Sequence, residues 1–249
     1  MNLHAKMNRF FQILLPLWLI SCAGAVDKAQ QVVDQAIAAH GCELLSDATV
    51  SFDFRGRTYA VSKNQNNYIY TRAWTDSTGY TVDSLLNSTE LIRYTNGGLV
   101  AVSEEMKGKY ANSVNSVLYF FQLPCLLNDP AVIKKYAGEI SIEGQVYDQI
   151  EVRFMAQGGG EDFEDVYMYW FNKKTLRMDY LAYNYQVEGG GTRFRKAINQ
   201  RSIDGYLVQD YINYKAEDKF LPLTTLPGLL EEGKLKELSK ILNTDVTAN

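Results

Sequence analysis

The chain has 249 residues, a formal net charge of −4 and 46% hydrophobic residues, which suits one domain with a sizeable core. An acidic balance without a basic patch excludes nucleic acid as a main partner. With two histidines and three cysteines, a histidine-rich metal site and a disulfide framework are both excluded by count, and no metal or cofactor is expected.

Lys6 and Arg9 precede an apolar run from Phe10 to Ile20 that is too short for a permanent membrane span and fits the core of a signal peptide. The run ends in Leu19-Ile20-Ser21-Cys22, which resembles a bacterial lipobox with Cys22 as the lipidated residue. On that reading residues 1–21 are leader and 22–249 the mature domain, with a charge of about −6 once Lys6 and Arg9 are lost. Ala23-Gly24-Ala25 is an alternative cleavage site that would release a soluble periplasmic protein. No acidic export signal follows Cys22, which favours an outer-membrane location facing the periplasm, with attachment resting on acyl chains. Cys42 and Cys125 remain as a bridge or as two separate buried thiols.

Val33, Ala36, Ile37 and His40 have helical spacing, and Gly41 supplies a stop. From Val50 the period changes to two, with Phe52 and Phe54 alternating against Ser51, Asp53 and Arg55. Strands are predicted at 57–63, 67–75, 79–86, 90–95 and 98–103, separated by short turn signals that force antiparallel hairpins. Val114, Val117, Leu118 and Phe121 predict a helix over 110–121, ended by Pro124. Asn128-Asp129-Pro130 predicts another short helix at 130–136. Strands resume at Glu139, repeat the alternation through Asp148, Ile150, Val152 and Phe154, and run to about Tyr214, with Asp204-Gly205 as a hairpin turn. Leu235, Leu238 and Leu242 predict a terminal helix over 228–242.

The fold class is therefore mainly β, α+β: a strongly curved antiparallel sheet or unclosed barrel of about 11 strands, with helices covering its concave face.

Chemistry-bearing clusters are few. His40 is the only histidine after the leader and sits on the apolar side of its helix, so it reads as a packing or capping residue. Glu161, Asp162, Glu164 and Asp165 follow a glycine loop; a solvated loop is the plain reading, a Ca²⁺ site or a hydrolytic carboxylate pair the sharper ones. No catalytic residue is expected.

Aromatic residues are more informative. Tyr68, Tyr70, Arg72 and Trp74 share one strand face; Tyr167, Tyr169 and Phe171 share another, with Val166, Met168 and Trp170 opposite, so this second strand should be covered on both sides. The plain reading is a large core, and the sharper one an aromatic-walled pocket for an amphiphile.

Asn112 to Pro124, Tyr169-Trp170-Phe171-Asn172, Met178 to Tyr183 and Gly190 to Arg195 resemble the motifs of the DUF6503 family, Bacteroidota proteins of unknown function, across nearly all of the mature chain. The architecture is similar to the LolA/LolB-like outer-membrane lipoprotein carrier fold, which implies an unclosed barrel lidded by helices around a cavity able to take acyl chains. The resemblance supplies no catalytic residues. On the pocket reading the 110–124 helix is a lid, and on the lipobox reading Cys22 is the anchor. The candidate ligand-binding residues are Tyr70, Arg72, Trp74, Val114, Leu118, Phe121, Trp170, Arg193 and Arg195, with an arginine meeting an anionic headgroup. The expected function is non-enzymatic binding of a lipid or other hydrophobic ligand in the envelope. The alternatives are a filled-core module that docks onto an envelope protein, and a carboxylate-dependent hydrolase.

Overall fold

The computed structural model describes residues 27–46, 48–64, 67–156, 165–186 and 189–249. Cys22 and the predicted leader, 1–21, lie outside them, as do Glu161, Asp162 and Glu164.

Asp27 caps helix α1 (Lys28–Ala39) by accepting the Ala29 N–H at 3.2 Å. His40 is the C-cap, and Gly41 turns the chain at φ 67°. A Cβ on Gly41 would lie 2.2 Å from the Gly205 carbonyl oxygen, so only glycine fits. A 3-10 turn (Cys42–Leu45) then leads into six hairpin-connected strands. These are β1 (Thr49–Phe54), β2 (Arg57–Asn64), β3 (Asn67–Asp76), β4 (Gly79–Leu86), β5 (Glu90–Thr95) and β6 (Gly98–Val100).

Helix α2 (Glu104–Gln122) carries the chain to a second meander: β7 (Val132–Ile142), β8 (Gln145–Phe154), β9 (Val166–Asn172), β10 (Met178–Tyr185), β11 (Gly191–Ile203) and β12 (Tyr206–Lys215). After a short helix α3 (Leu226–Glu231), β13 (Lys236–Ile241) pairs with β12 and β14 (Thr244–Ala248) pairs with β1. The result is two seven-stranded antiparallel sheets, ordered β14-β1-β2-β3-β4-β5-β6 and β13-β12-β11-β10-β9-β8-β7. The chain turns from one sheet to the other through Leu242 and Asn243, whereas β6 and β7, at the far edges, do not pair with each other. The barrel is therefore unclosed, as expected from the pattern.

Three expectations are corrected. The described residues hold fourteen strands rather than about eleven. The predicted helix at 130–136 is instead the start of β7, where Ile133 and Lys135 are exposed and Val132, Lys134 and Tyr136 are partly buried. Alternation and the β-branched Val132-Ile133 pair outweigh the proline signal. The predicted terminal helix 228–242 is cut at Glu231 by Gly233 at φ 68°, and β13 and β14 follow. Leu238 and Leu242 stay exposed at 41% and 42%, so their helical stripe had no surface to cover.

Three buried clusters hold the fold. Helix α1 packs Ala29, Val32, Val33 and Ala36 onto the inner face of the second sheet, against Ile150, Val152, Tyr169, Leu181 and Tyr211. Helix α2 packs Val114 and Leu118 against Phe52, Val61, Tyr70, Leu85 and Leu91 of the first sheet. The outer face of the second sheet, with Trp170, Tyr180 and Phe194, is covered by Leu223, Leu226 and Leu235.

Candidate functional site

Helix α2 is built to lie between two sheets. Ser103 caps it by accepting the Met106 N–H at 3.4 Å, and Glu104 and Glu105 complement the positive end of its dipole. Val114 and Leu118, one turn apart, are fully buried against the first sheet. At the other end, Cys125 forms a disulfide with Cys42, tying the exit of α2 to the turn after α1. That pairing was one of the two states left open by the sequence.

The N-terminal half of α2 meets charge. Asp83 is fully buried and receives Arg72 Nη2 at 2.5 Å and Arg93 Nε at 2.6 Å. Arg72 Nη1 also donates to Ser113 of α2 at 2.8 Å, and the Arg93 guanidinium lies 3.8 Å from the Tyr110 ring centre. Trp74 is bordered by Arg57, Arg72 and Arg93 at 4.9, 5.5 and 5.3 Å and donates its Nε1–H to Asp76. Tyr70 accepts the Gln122 Nε2–H at 2.9 Å, and burial raises its phenol pKa. The contacts of α2 with the first sheet are thus filled, Gln122 Oε1 at the end of the helix being a buried acceptor without a partner among the described residues.

The C-terminal half of α2 meets open space. A cavity of about 250 Å³ lies between α2, the β1–β2 turn and the inner face of the second sheet. Its apolar lining is Phe54, Val117, Phe120, Phe121 and Ile241. Ser116 and Arg55 also border it, together with Arg195, Tyr211 and Asn213 from the second sheet and Asn243 from the turn between the sheets. Phe121 is held by stacking on Phe52 at 3.9 Å. The Arg195 guanidinium lies over the Phe120 ring, 4.0 Å from its centre, and donates Nη2–H to the Tyr183 hydroxyl at 3.1 Å. Burial pushes the Tyr211 phenol up to about 12, so it stays neutral in the cavity wall.

The candidates from the sequence thus separate. Phe121 and Arg195 line the cavity. Tyr70, Val114 and Leu118 are spent on the core, Arg72 on Asp83, and Trp74 on the arginine cluster. Arg193 shares a strand face with Arg195 but stacks on Tyr185 at 4.9 Å. Trp170 faces the opposite side of the second sheet and donates to Gln149 at 3.0 Å. Phe54, Arg55, Phe120, Tyr211, Asn213 and Ile241 were missed. Phe120 had a signal, its place beside Phe121 on the same helix; the others depend on strand register. Of the acidic cluster only Asp165 lies in the described residues, and it is buried. Among the described residues no helix is long and apolar enough to cross a membrane.

The unclosed antiparallel arrangement, with α2 between the two sheets, is similar in fold to solved proteins. A LolA superfamily protein from Nitrosomonas europaea superposes with a TM-score of 0.50 at 13% identity, over 88% of this chain and 92% of that one. The chain belongs to the DUF6503 family, a family of unknown function whose model matches residues 8–243. A DUF1329 family protein from Desulfovibrio piger aligns with a TM-score of 0.46 at 11% identity, over 89% of this chain and 93% of that one. A domain assigned to outer-membrane lipoprotein sorting in Vibrio parahaemolyticus aligns at 0.43 and 8% identity, over 81% and 98%. A search of curated protein sequences finds no match.

Proposed function

We propose that the chain is an exported envelope lipoprotein, anchored through Cys22, that binds a lipid or other hydrophobic ligand and performs no bond chemistry on it. The observation that carries this reading is the cavity of about 250 Å³ with five apolar walls beside α2. It falls just under the usual range of about 300–1,000 Å³ for ligand pockets, so it suits one short chain or the end of a longer one. The signal-like run ending at Cys22 supports export, with the outer membrane facing the periplasm as the location.

The test uses purified Cys22→Ala chain, which carries no acyl anchor of its own. Organic extraction and mass spectrometry should release a bound amphiphile, and 1-N-phenylnaphthylamine should give saturable fluorescence. Val117→Trp, which fills the cavity, should lower probe binding several-fold. An empty protein with no saturable probe signal would refute the reading.

A second reading is favoured by the full burial of Val114 and Leu118 and by the Phe52–Phe121 stack. It is a lipoprotein with a filled interior that docks onto another envelope protein. It predicts probe binding insensitive to Val117→Trp and a partner recovered by crosslinking in cells.

A further inference from the structure

From the lining of the cavity we infer that its ligand is an anionic amphiphile, its head held by Arg195 with help from Arg55. This rests on the cavity being a ligand site at all, as proposed above. The chain as a whole is acidic, at −4, yet no Asp or Glu lines the cavity and two arginines do. Among the described residues neither arginine has a carboxylate within 4.0 Å, unlike Arg72, Arg93, Arg153 and Arg201.

Arg195 is positioned as a receptor rather than as a loose surface cation. Its guanidinium lies over Phe120 and Nη2 donates to Tyr183, while buried Nε has no acceptor among the described residues. The residue paired with it across β11 and β12 is Asn213, but its amide oxygen makes no hydrogen bond to Nε, so nothing on the neighbouring strand neutralises the guanidinium. A guanidinium cannot shed its proton, and with no carboxylate beside it an anionic head in the cavity would neutralise its charge. The tail of that anion has only the apolar side of the cavity to occupy, along Val117, Phe121 and Ile241. Head and tail sites lie within one small space, which selects a single-chain molecule over a bulky one.

The experiment is a set of titrations of purified Cys22→Ala protein with 12-carbon chains that differ only in the head: dodecanoate, dodecyl phosphate, 1-dodecanol and dodecyltrimethylammonium. Wild-type binding should be at least about tenfold tighter for the two anions than for the alcohol, the strength expected of a charge-assisted hydrogen bond. The cation should bind most weakly. Arg195→Gln should reduce the anion-to-alcohol ratio to near one, Arg195→Lys should keep part of it, and Arg55→Gln should reduce it by less. Equal wild-type affinity for dodecanoate and dodecanol would overturn this inference and leave the apolar cavity as the ligand site. Failure of all four chains to bind would overturn both. The ligand comparison needs only the wild-type cavity, so a variant that fails to fold does not decide it.

Discussion

Arg72 and Arg195 occupy corresponding settings on the inner faces of the two sheets, and they differ in one respect. Each is wholly or partly buried, each lies near aromatic rings, and each approaches α2. Arg72 has Asp83 and Ser113; Arg195 has a phenol, a ring and a cavity. Because a guanidinium keeps its charge at any ordinary pH, burial without an anion is tolerated only beside water or a ligand. The first arginine therefore belongs to the architecture, fastening the front of α2 to the first sheet. The second has its charge held in reserve. His40 illustrates the third course open to a buried base, which is to stay neutral: burial first, and then nearby Arg177, lower its pKa from 6.5 to about 4.

The most drastic way to break the contrast is to remove the shared anion on the Arg72 side. Asp83→Asn leaves two guanidiniums facing a neutral amide and should cost about 3–5 kcal/mol, read as a fall in the urea midpoint. The triple change Arg72→Met, Asp83→Leu, Arg93→Met should cost less than that single one, because it leaves no charge stranded. The disulfide comes next. Cys42→Ala with Cys125→Ala frees the rear of α2, beside the Arg195 cavity, and should cost about 2–4 kcal/mol. Loss of the pair should also broaden probe binding in the cavity while leaving the Arg72 side intact.

His40 gives an effect of similar size with a different signature. Its imidazole is neutral in the fold, where Nε2 accepts the Met178 N–H at 3.1 Å, but takes a proton in the unfolded chain below pH 6.5. The unfolded state therefore binds more protons between pH 6.5 and about 4, and stability rises with pH through that window. The stability is full above pH 6.5, and about 3 kcal/mol is lost as the pH falls to about 4. Comparing wild type with His40→Gln isolates this share from that of the carboxylates. Identical pH profiles for the two proteins would show that the imidazole does not carry it.

How far the sequence reveals this contrast can be argued from the same residues. The strands β1 to β6, the 110–121 helix and the Asp204-Gly205 turn are legible because local pattern and tertiary role agree there. Asp204 and Gly205 both adopt positive φ, at 49° and 95°, as a tight hairpin requires. Extrapolated from that turn, the register sets Arg195 opposite Tyr214. In the structure an irregularity between Ile198 and Arg201 moves the pairing by one, and Arg195 faces Asn213. One extra residue in a strand carries no composition signal, yet it decides which side chains meet at the cavity. The same holds for Arg72. Its strand face was predictable, but the Asp83 opposite it depends on the register of β3 with β4. Arg55 and Ile241 come from a turn and a strand at distant points in the chain, brought together only when β13 and β14 link the sheets. The terminal segment defeated the periodicity argument because its leucine spacing fits a helix, while Gly233 ends α3 and the chain pairs with β12 as an edge strand instead.

The smallest expected effect is the one that most sharpens the comparison. Arg195→Met keeps a long side chain on Phe120 and removes a charge that has no counter-ion, so the unliganded variant should lie within about 1 kcal/mol of wild type. The arginine's value should appear only when ligand is present. Dodecanoate at 100 times its Kd should stabilise wild type by about 2.7 kcal/mol, and about half of that gain or more should vanish in Arg195→Met at the same concentration. Thermal unfolding with and without dodecanoate separates the two terms. A loss of several kcal/mol in the unliganded variant would put Arg195 in the same structural role as Arg72, and the distinction between a spent and a waiting guanidinium would fall.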